Sequence, residues 1–228
     1  MMEKLYADFA WEQAAALLAI DSPTGFTARA AAWVKNAFAD LGFEATITTK
    51  GGVLVDLGGE KSDDGLMLAA HTDTLGCMVA EVKGNGRLRL SNLGGMSANN
   101  GEAENVRVYT RGGKIIDGTL QLVNASVHVN PDYATTTRNW NTVEVVIDED
   151  VKSAADVRAL GIEVGDIVCF DPRTRRTASG YLKSRFLDDK LSVGILLGFA
   201  KYVADRKITL KLLRKEVIVS VLELLVIR

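Results

Sequence analysis

The chain has 228 residues, of which 47% are apolar and 25% are charged, and its formal net charge is −2. This apolar fraction is sufficient for the core of one large or two modest domains, and it excludes intrinsic disorder. A near-neutral charge without an obvious basic cluster argues against a nucleic-acid-binding protein. The longest apolar stretch, residues 217–227, is too short to span a bilayer and contains Glu223. We therefore expect a globular protein that binds neither nucleic acid nor membrane.

The first 75 residues show the pattern of an α/β domain. Apolar residues at helical spacing predict one helix that ends near Leu18, before the turn-forming residues 21–25, and a second helix over residues 27–41. Three strands follow, at residues 44–49, 52–57 and 66–70. The third strand is continuously apolar, which is typical of a strand buried on both faces of a sheet.

The middle of the chain differs in composition. Glycines are frequent there, helical periodicity is nearly absent apart from a short helix at residues 153–160, and two segments predict hairpins with glycine turns. Helical spacing then returns from Leu187, followed by an apolar strand. We expect a β-rich domain inserted into an α/β domain, with residues 76–179 in the insert and residues 1–75 and 180–228 in the α/β domain.

Cys77 and Cys169 lie far apart in the sequence and lack the spacing of a metal site. We interpret them as buried free thiols of a cytoplasmic protein. The N-terminus, MMEKLYADFAWEQ, contains acidic residues and predicts a helix, not a signal peptide. His128 is interpreted as a surface or β-packing histidine.

His71 and Asp73 follow the apolar third strand directly. Ligand sites of open α/β sheets lie at the carboxyl ends of strands, and a metal-binding histidine needs an acceptor at its other ring nitrogen. Asp73 is two residues away and points to the same side if the strand continues. The alternative is a structural histidine at a strand end, held by a polar partner.

Asp188 and Asp189 stand at the start of the predicted helix near Leu187. Adjacent acids at this position are commonly N-cap residues that the helix dipole stabilises. The alternative is that one of them is a metal ligand whose carboxylate spans two divalent ions.

Taken together, these segments resemble the dinuclear metalloaminopeptidases of the glutamyl-aminopeptidase/endoglucanase-like family, metallopeptidase family forty-two. The strongest matches are LMLAAHTDTLGCMV, GYLKSRFLDDKLSVGILL and the segment from Leu160 to Asp171. The resemblance implies a layered mixed-sheet α/β peptidase domain with an inserted, small β-barrel-like dimerisation domain. It also implies peptide substrates and a homo-oligomer, a dodecamer in the family.

The resemblance also implies roles for individual residues. His71 and Asp188 would bind metal, with Asp188 bridging two ions, zinc or cobalt, and a cis bond joining Asp188 to Asp189. Asp73 would orient the imidazole of His71. Glu223 would occupy the position of the catalytic general base.

The C-terminal segment departs from the family pattern. Leu224 stands where the family has a further metal ligand, so the chain keeps two of five protein ligands, and we expect impaired activity. We expect a frameshifted or truncated reading of a longer gene; the alternative is a genuinely short paralogue. We also expect residues 216–227 to form a strand with an exposed edge, which would promote aggregation.

The sequence leaves two alternative functions. One is a non-catalytic fragment or interaction module built on the inserted domain. The other is glycan hydrolysis, which would require two carboxylic acids flanking a sugar site, whereas His71, Asp73 and Asp188 form a metal-type set.

Overall fold

The computed structural model of the chain describes residues 2–59, 65–210 and 213–220. The helices, in chain order, are α1 (Met2–Leu18), α2 (Ala28–Asp40), α3 (Ala98–Gly101), α4 (Ala154–Ala159) and α5 (Leu187–Arg206). The strands are β1 (Ala45–Ile47), β2 (Val53–Asp56), β3 (Gly65–His71), β4 (Gly76–Val82), β5 (Leu88–Leu93), β6 (Asn105–Tyr109), β7 (Ile115–Leu122), β8 (Val143–Ile147), β9 (Ile167–Phe170), β10 (Arg175–Arg176), β11 (Leu182–Lys183) and β12 (Leu213–Ser220).

The chain divides into two structural units, one formed by Met1–Thr74 with Pro172–Arg228 and the other by Leu75–Asp171. The second boundary lies earlier than the sequence indicated, because residues 172–179 belong with the first unit. The reason is the hairpin β10–β11, whose Arg176 forms an ion pair with Asp8 of α1 at 2.7 Å. This hairpin was not predicted from the sequence.

The first unit contains a four-stranded mixed sheet in the order β1-β2-β12-β3. Strands β1 and β2 pair antiparallel, as do β2 and β12, whereas β12 and β3 are parallel. Helices α1, α2 and α5 share one apolar core with the sheet. In α2 the buried residues Ala30, Ala31, Val34 and Phe38 recur at helical spacing and form its inner face.

Strand β12 lies inside this sheet and not at its edge. Val217 and Val219 pair with β2 on one side and with β3 on the other. The expectation of an exposed strand edge is therefore wrong for residues 216–219, because β2 and β3 take up the backbone groups on both sides. The expectation for residues 221–227 lies outside the described residues.

Helices α1 and α5 approach each other closely at two glycines of α5. A Cβ atom on Gly194 would lie 2.7 Å from the carbonyl oxygen of Ala10 and 2.7 Å from Cβ of Ala14. A Cβ on Gly198 would lie 2.8 Å from Cβ of Ala10. Because real Cβ atoms do not approach other atoms so closely, the crossing of these helices requires glycine at both positions.

The second unit is a closed barrel of six strands in the order β4-β5-β8-β7-β6-β9. Alternate residues of β7 are buried, namely Ile116, Gly118, Leu120 and Leu122, which is the period expected of a strand with one face in a core. The predicted mixed α/β fold with a barrel-like insert is thus confirmed.

A carboxylate is buried in the barrel. The side chain of Glu144, on β8, is 1% exposed and pairs with Lys83 at 2.6 Å and with Arg87. The two cations neutralise the carboxylate and satisfy its oxygens, as a buried charge requires.

None of the described helices is long and apolar enough to cross a membrane.

Candidate metal centre

His71 is the last residue of β3, and its side chain meets that of Asp188 near the start of α5. Nε2 of His71 lies 3.1 Å from Oδ1 of Asp188, although 117 positions separate the two residues. The imidazole is partly buried, whereas the Asp188 side chain is 95% exposed. The site therefore opens to solvent on the side of Asp188.

Asp73 holds the other side of the imidazole. Nδ1 of His71 lies 3.2 Å from the carbonyl oxygen of Asp73 and 3.1 Å from its Oδ1. Two oxygens facing Nδ1 favour the tautomer with its proton on that nitrogen. The lone pair of Nε2 is then directed toward Asp188.

The turn after α1 fixes the position of Asp73. Thr24 donates a hydrogen bond from Oγ1 to Oδ2 of Asp73 at 2.8 Å, and Ser22 donates from Oγ to the carbonyl oxygen of Thr72 at 2.7 Å. Pro23 and Thr74 form an isolated parallel bridge beside these contacts. The segment that follows β3 is thus held from both its backbone and its side chains.

The start of α5 is anchored from below by Lys190. The peptide bond between Asp188 and Asp189 is cis, as predicted, and neither residue has helical backbone angles. Nζ of Lys190 donates hydrogen bonds to the carbonyl oxygens of Leu17 at 3.1 Å and Ile20 at 2.6 Å. This buried ammonium ties the segment that carries Asp188 to the end of α1.

The arrangement fits a divalent metal ion such as zinc. Imidazole nitrogen and carboxylate oxygen are ligands that zinc and cobalt accept. Two such ligands, each about 2.0–2.2 Å from one ion, are about 3–3.5 Å apart, and Nε2 and Oδ1 are separated by 3.1 Å. These two atoms are both acceptors in the favoured tautomer, so a cation between them would satisfy both.

One buried polar atom lies next to these residues in the sequence. Oγ1 of Thr72 has no hydrogen-bond partner among the described residues, whereas Oδ1 of Asp73 faces Nδ1 of His71 at 3.1 Å. Buried polar atoms are normally satisfied, so such orphans commonly indicate a water molecule or an ion.

The structure thus brings together His71, Asp73 and Asp188, while their roles stay predictions. Glu223 lies outside the described residues. Within the described ranges, no group of three or more His, Cys, Asp or Glu side chains is arranged to hold a metal ion. The two candidate ligands, His71 and Asp188, are fewer than the three protein ligands typical of catalytic zinc sites.

The other candidate residues lie away from this site. His128 is exposed on the second unit, as one of its two interpretations had it. Cys77 and Cys169 are both buried and free, as predicted.

Thr24 and Lys190 support the site and were not predicted from the sequence. Thr24 belongs to the turn predicted over residues 21–25, and Lys190 directly follows the aspartate pair. A lysine inside an otherwise apolar helix face is the one signal that could have identified Lys190.

Known proteins resemble this chain in sequence and in fold. It is 41% identical over 181 residues to YhfE of Bacillus subtilis (strain 168), a protein named as an aminopeptidase. The alignment covers 79% of this chain and 52% of YhfE. The structure of aminopeptidase APDkam598 from Desulfurococcus kamchatkensis superimposes with a TM-score of 0.81 at 22% identity, covering 94% of this chain and 56% of that one. The TET1 peptidase of Pyrococcus horikoshii, which can assemble into a tetrahedron or a large octahedral shell, superimposes with a TM-score of 0.73 at 22% identity, covering 92% of this chain and 59% of that one.

The chain spans about half the length of the curated relatives that it matches. The profile of one peptidase family matches residues 51–223, a range that includes His71, Asp73 and Asp188. A match over more than half of the chain establishes membership: the chain belongs to the M42 glutamyl aminopeptidase family.

Proposed function

We propose that this chain belongs to a metal-dependent aminopeptidase, a hydrolase that releases N-terminal residues from peptides. The observation that carries the proposal is the contact of His71 and Asp188 at 3.1 Å, with Asp73 behind the imidazole. Membership of the M42 family, which is metal-dependent, supports it.

In this proposal His71 and Asp188 bind divalent metal. The carboxylate of Asp188 is exposed, and its second oxygen would be available to a further ion. Asp73 keeps the proton on Nδ1 of His71 and so leaves the Nε2 lone pair free to bind. Bound divalent ions of this kind polarise the scissile carbonyl and lower the pKa of water.

Glu223 is proposed as the general base that takes a proton from the attacking water and delivers it to the leaving amine. This assignment rests on the sequence resemblance. With two of the family's five protein ligands in the chain, we propose that it binds metal weakly and has impaired activity on its own.

The proposal is tested first by metal binding. The 228-residue chain is titrated with Co²⁺ and followed by visible absorption, beside the variants His71→Ala and Asp188→Asn. We expect weak binding that a chelator reverses and that both variants abolish. The exposed His128→Ala is the control, and it should leave the titration unchanged.

Catalysis is tested with a hybrid protein. The chain up to Glu223 is joined to the remaining C-terminal part of YhfE and assayed with aminoacyl-p-nitroanilides and Zn²⁺ or Co²⁺. We expect metal-dependent hydrolysis by the hybrid, at least 100-fold less with His71→Ala, and little hydrolysis by the 228-residue chain.

Two results would contradict the proposal. Metal binding that survives both His71→Ala and Asp188→Asn would place the ion elsewhere. An inactive, folded hybrid that binds no metal would favour the alternative, a non-catalytic interaction module of the same family.

We also propose that the chain forms homo-oligomers in the cytoplasm through the barrel unit. The P. horikoshii TET1 peptidase assembles into shells, and the barrel of this chain carries Val127 and Val129 at 61% and 74% exposure. Multi-angle light scattering should show an oligomer that Val129→Lys converts to smaller species; an unchanged mass would contradict this interface. The two free, buried thiols support the cytoplasmic location.

A further inference from the structure

One segment of the chain is strongly basic, although the net charge of −2 conceals it. Residues 173–185 contain five cations and no acidic residue, so the chain does have a basic cluster, contrary to the expectation from its net charge. The cations are Arg173, Arg175, Arg176, Lys183 and Arg185. Most of the segment forms the hairpin β10–β11 of the first unit.

The two faces of this hairpin differ. Arg176 packs inward on α1, with its guanidinium 5.2 Å from the ring centre of Trp11 and 2.7 Å from Oδ1 of Asp8. Side chains alternate between the faces of a strand, and directly paired residues share a face. Because Arg175 pairs with Lys183, these two side chains lie together on the opposite, outward face.

The outward face is cationic and unneutralised. Arg175 and Lys183 are exposed, and neither has an ion pair or hydrogen bond from its side chain to any described residue. Tyr181, two positions before Lys183 on the same face, is 74% exposed. Like charges directly opposite destabilise a strand pair, so nothing in the folding of this hairpin accounts for them.

The hairpin is tethered close to the candidate metal centre. Lys183 precedes Asp188 by five residues, which at no more than about 3.8 Å each limits their Cα separation to about 19 Å. An extended peptide advances about 3.3 Å per residue, so one whose first residue is at Asp188 can reach the hairpin within about six residues.

We propose that the outward face formed by Arg175, Tyr181 and Lys183 is a docking surface for acidic peptides. It rests on the proposed function and names a substrate class for it: peptides with Asp or Glu downstream of the scissile bond. The two cations bind side-chain carboxylates. Tyr181 lies opposite Thr177, nearer the turn than the pair Arg175–Lys183, and its ring packs against the adjoining part of the peptide.

The number of free cations favours a peptide over a nucleic acid. Proteins that bind nucleic acid through its backbone commonly neutralise 6–10 phosphates. This face offers two unpaired cations beside one exposed ring, which suits one or two carboxylates and is too small for a phosphate track.

The test measures binding without catalysis. Fluorescein-labelled Ala-Ala-Glu-Glu-Glu-Glu and the matched peptide with four Gln are titrated with the metal-free 228-residue chain in EDTA at low salt, and anisotropy is recorded. We expect the Glu peptide to bind at least 10-fold more tightly than the Gln peptide, with an affinity that falls as salt rises.

Variants locate the binding surface. Arg175→Gln combined with Lys183→Gln should weaken Glu-peptide binding at least 10-fold. The matched control is Lys35→Gln combined with Lys50→Gln, which changes the net charge equally at exposed positions outside the hairpin and should weaken binding less than 2-fold. Far-ultraviolet circular dichroism confirms that both double variants are folded.

Three outcomes would overturn the proposal: equal binding of the Glu and Gln peptides, equal loss in the two double variants, or tighter binding of a ten-nucleotide single strand that the hairpin variant abolishes. The peptide-binding assay contains no metal, so its result can be interpreted even if the chain does not bind Co²⁺. Peptide binding with no hydrolysis by the hybrid would support the surface and reject the proposed function.

Discussion

The ammonium group of Lys190 donates a hydrogen bond to the carbonyl oxygen of Ile20 over 2.6 Å, across 170 positions of the sequence. Lys190 is 1% exposed, and it lies at the end of α1, where the helix dipole favours positive charge. The contact joins a buried cation, two residues after Asp188, to the end of α1. It therefore fixes the position of the candidate site relative to that helix.

Replacing Lys190 tests this anchor. We expect Lys190→Met to lower the free energy of unfolding by roughly 1–3 kcal/mol, because buried carbonyl oxygens lose their donor. Urea denaturation measures the change. Lys201→Met, on the same helix but in the ion pair with Asp205, is the control and should change stability by less than about 1 kcal/mol. Equal effects of the two substitutions would contradict the anchoring role.

The crossing of α1 and α5 gives a second prediction. Gly194→Ala places a Cβ 2.7 Å from the Ala10 carbonyl oxygen, so we expect a destabilisation of roughly 1–3 kcal/mol. Gly84→Ala is the matched control, since no atom lies within 4 Å of its added Cβ. Thermal unfolding of both variants measures the change in stability. If Gly194→Ala is as stable as the parent chain, α1 and α5 can move apart without a cost in stability, which would contradict the prediction.

The buried carboxylate of the barrel gives a third prediction. Glu144→Gln leaves Lys83 and Arg87 without their counter-charge, and breaking a buried pair costs roughly 3–5 kcal/mol. Because both cations reach solvent, we expect the lower half of that range or somewhat less. Glu81→Gln breaks the exposed pair with Arg89 and should change stability by less than about 1 kcal/mol. Comparable losses in the two variants, measured by denaturant titration, would show that burial of Glu144 has no special weight.

The cysteines give a prediction about pH. Burial raises the pKa of the Cys77 thiol from 9.0 to about 12. A raised pKa in the folded state means that the thiol stabilises the fold below pH 9, and that this contribution is lost progressively as the pH rises from 9 toward 12. The chain should therefore lose more stability over this range than Cys77→Val, in which the other titrating groups are the same. Parallel pH profiles of the two proteins would contradict the burial of this thiol.

Accessibility of the thiols is checked separately. In the folded chain at pH 8, neither Cys77 nor Cys169 should react with Ellman's reagent, because both are buried. After unfolding in guanidinium chloride, both should react. Rapid reaction of the native chain would show that the barrel core opens readily.

The supports of the candidate metal centre give the last prediction. Asp73→Asn removes the carboxylate behind Nδ1 of His71, and losses of such partners weaken metal binding by about 10–100-fold. Thr24→Val removes the donor to Oδ2 of Asp73 and should weaken Co²⁺ binding by a smaller factor in the same direction. Thr46→Val, at an exposed position of β1, is the control and should leave the Co²⁺ titration unchanged. If Asp73→Asn binds Co²⁺ as tightly as the parent chain, Asp73 does not orient the ligand.

Periodicity in the sequence predicted the elements that carry a strong apolar pattern. Helices α2 and α5 lie close to their predicted bounds, because each buries an apolar face. Strand β3 also lies close to its predicted bounds, but the expectation that it is buried on both faces is wrong: it stands at the edge of the described sheet, and Leu66 and Met67 are 44% and 50% exposed. The hairpin β10–β11 was missed because its residues are cationic and exposed, so no apolar alternation marks it. Strand β8 was not predicted, because the polar segment before it contains turn-forming residues that obscure where the strand begins.

The candidate site was predictable only in part. His71, Asp73 and Asp188 could be selected because short motifs surround them. The contacts of Thr24 with Asp73 and of Lys190 with Ile20 join residues 49 and 170 positions apart. Such pairings follow from the packing of α1 against α5 and the sheet, which no local pattern encodes.

The closure of the six-stranded barrel in the unit Leu75–Asp171 has a consequence for recognition. An open sheet can bind a partner through backbone hydrogen bonds at its edge strand, and these bonds depend little on the side chains. In a closed barrel every strand has two neighbours, so no strand edge is left unpaired. Partners of this unit must therefore be recognised through exposed side chains such as Val127 and Val129. Single substitutions can then change which partners bind, while the hydrogen bonds of the barrel remain intact.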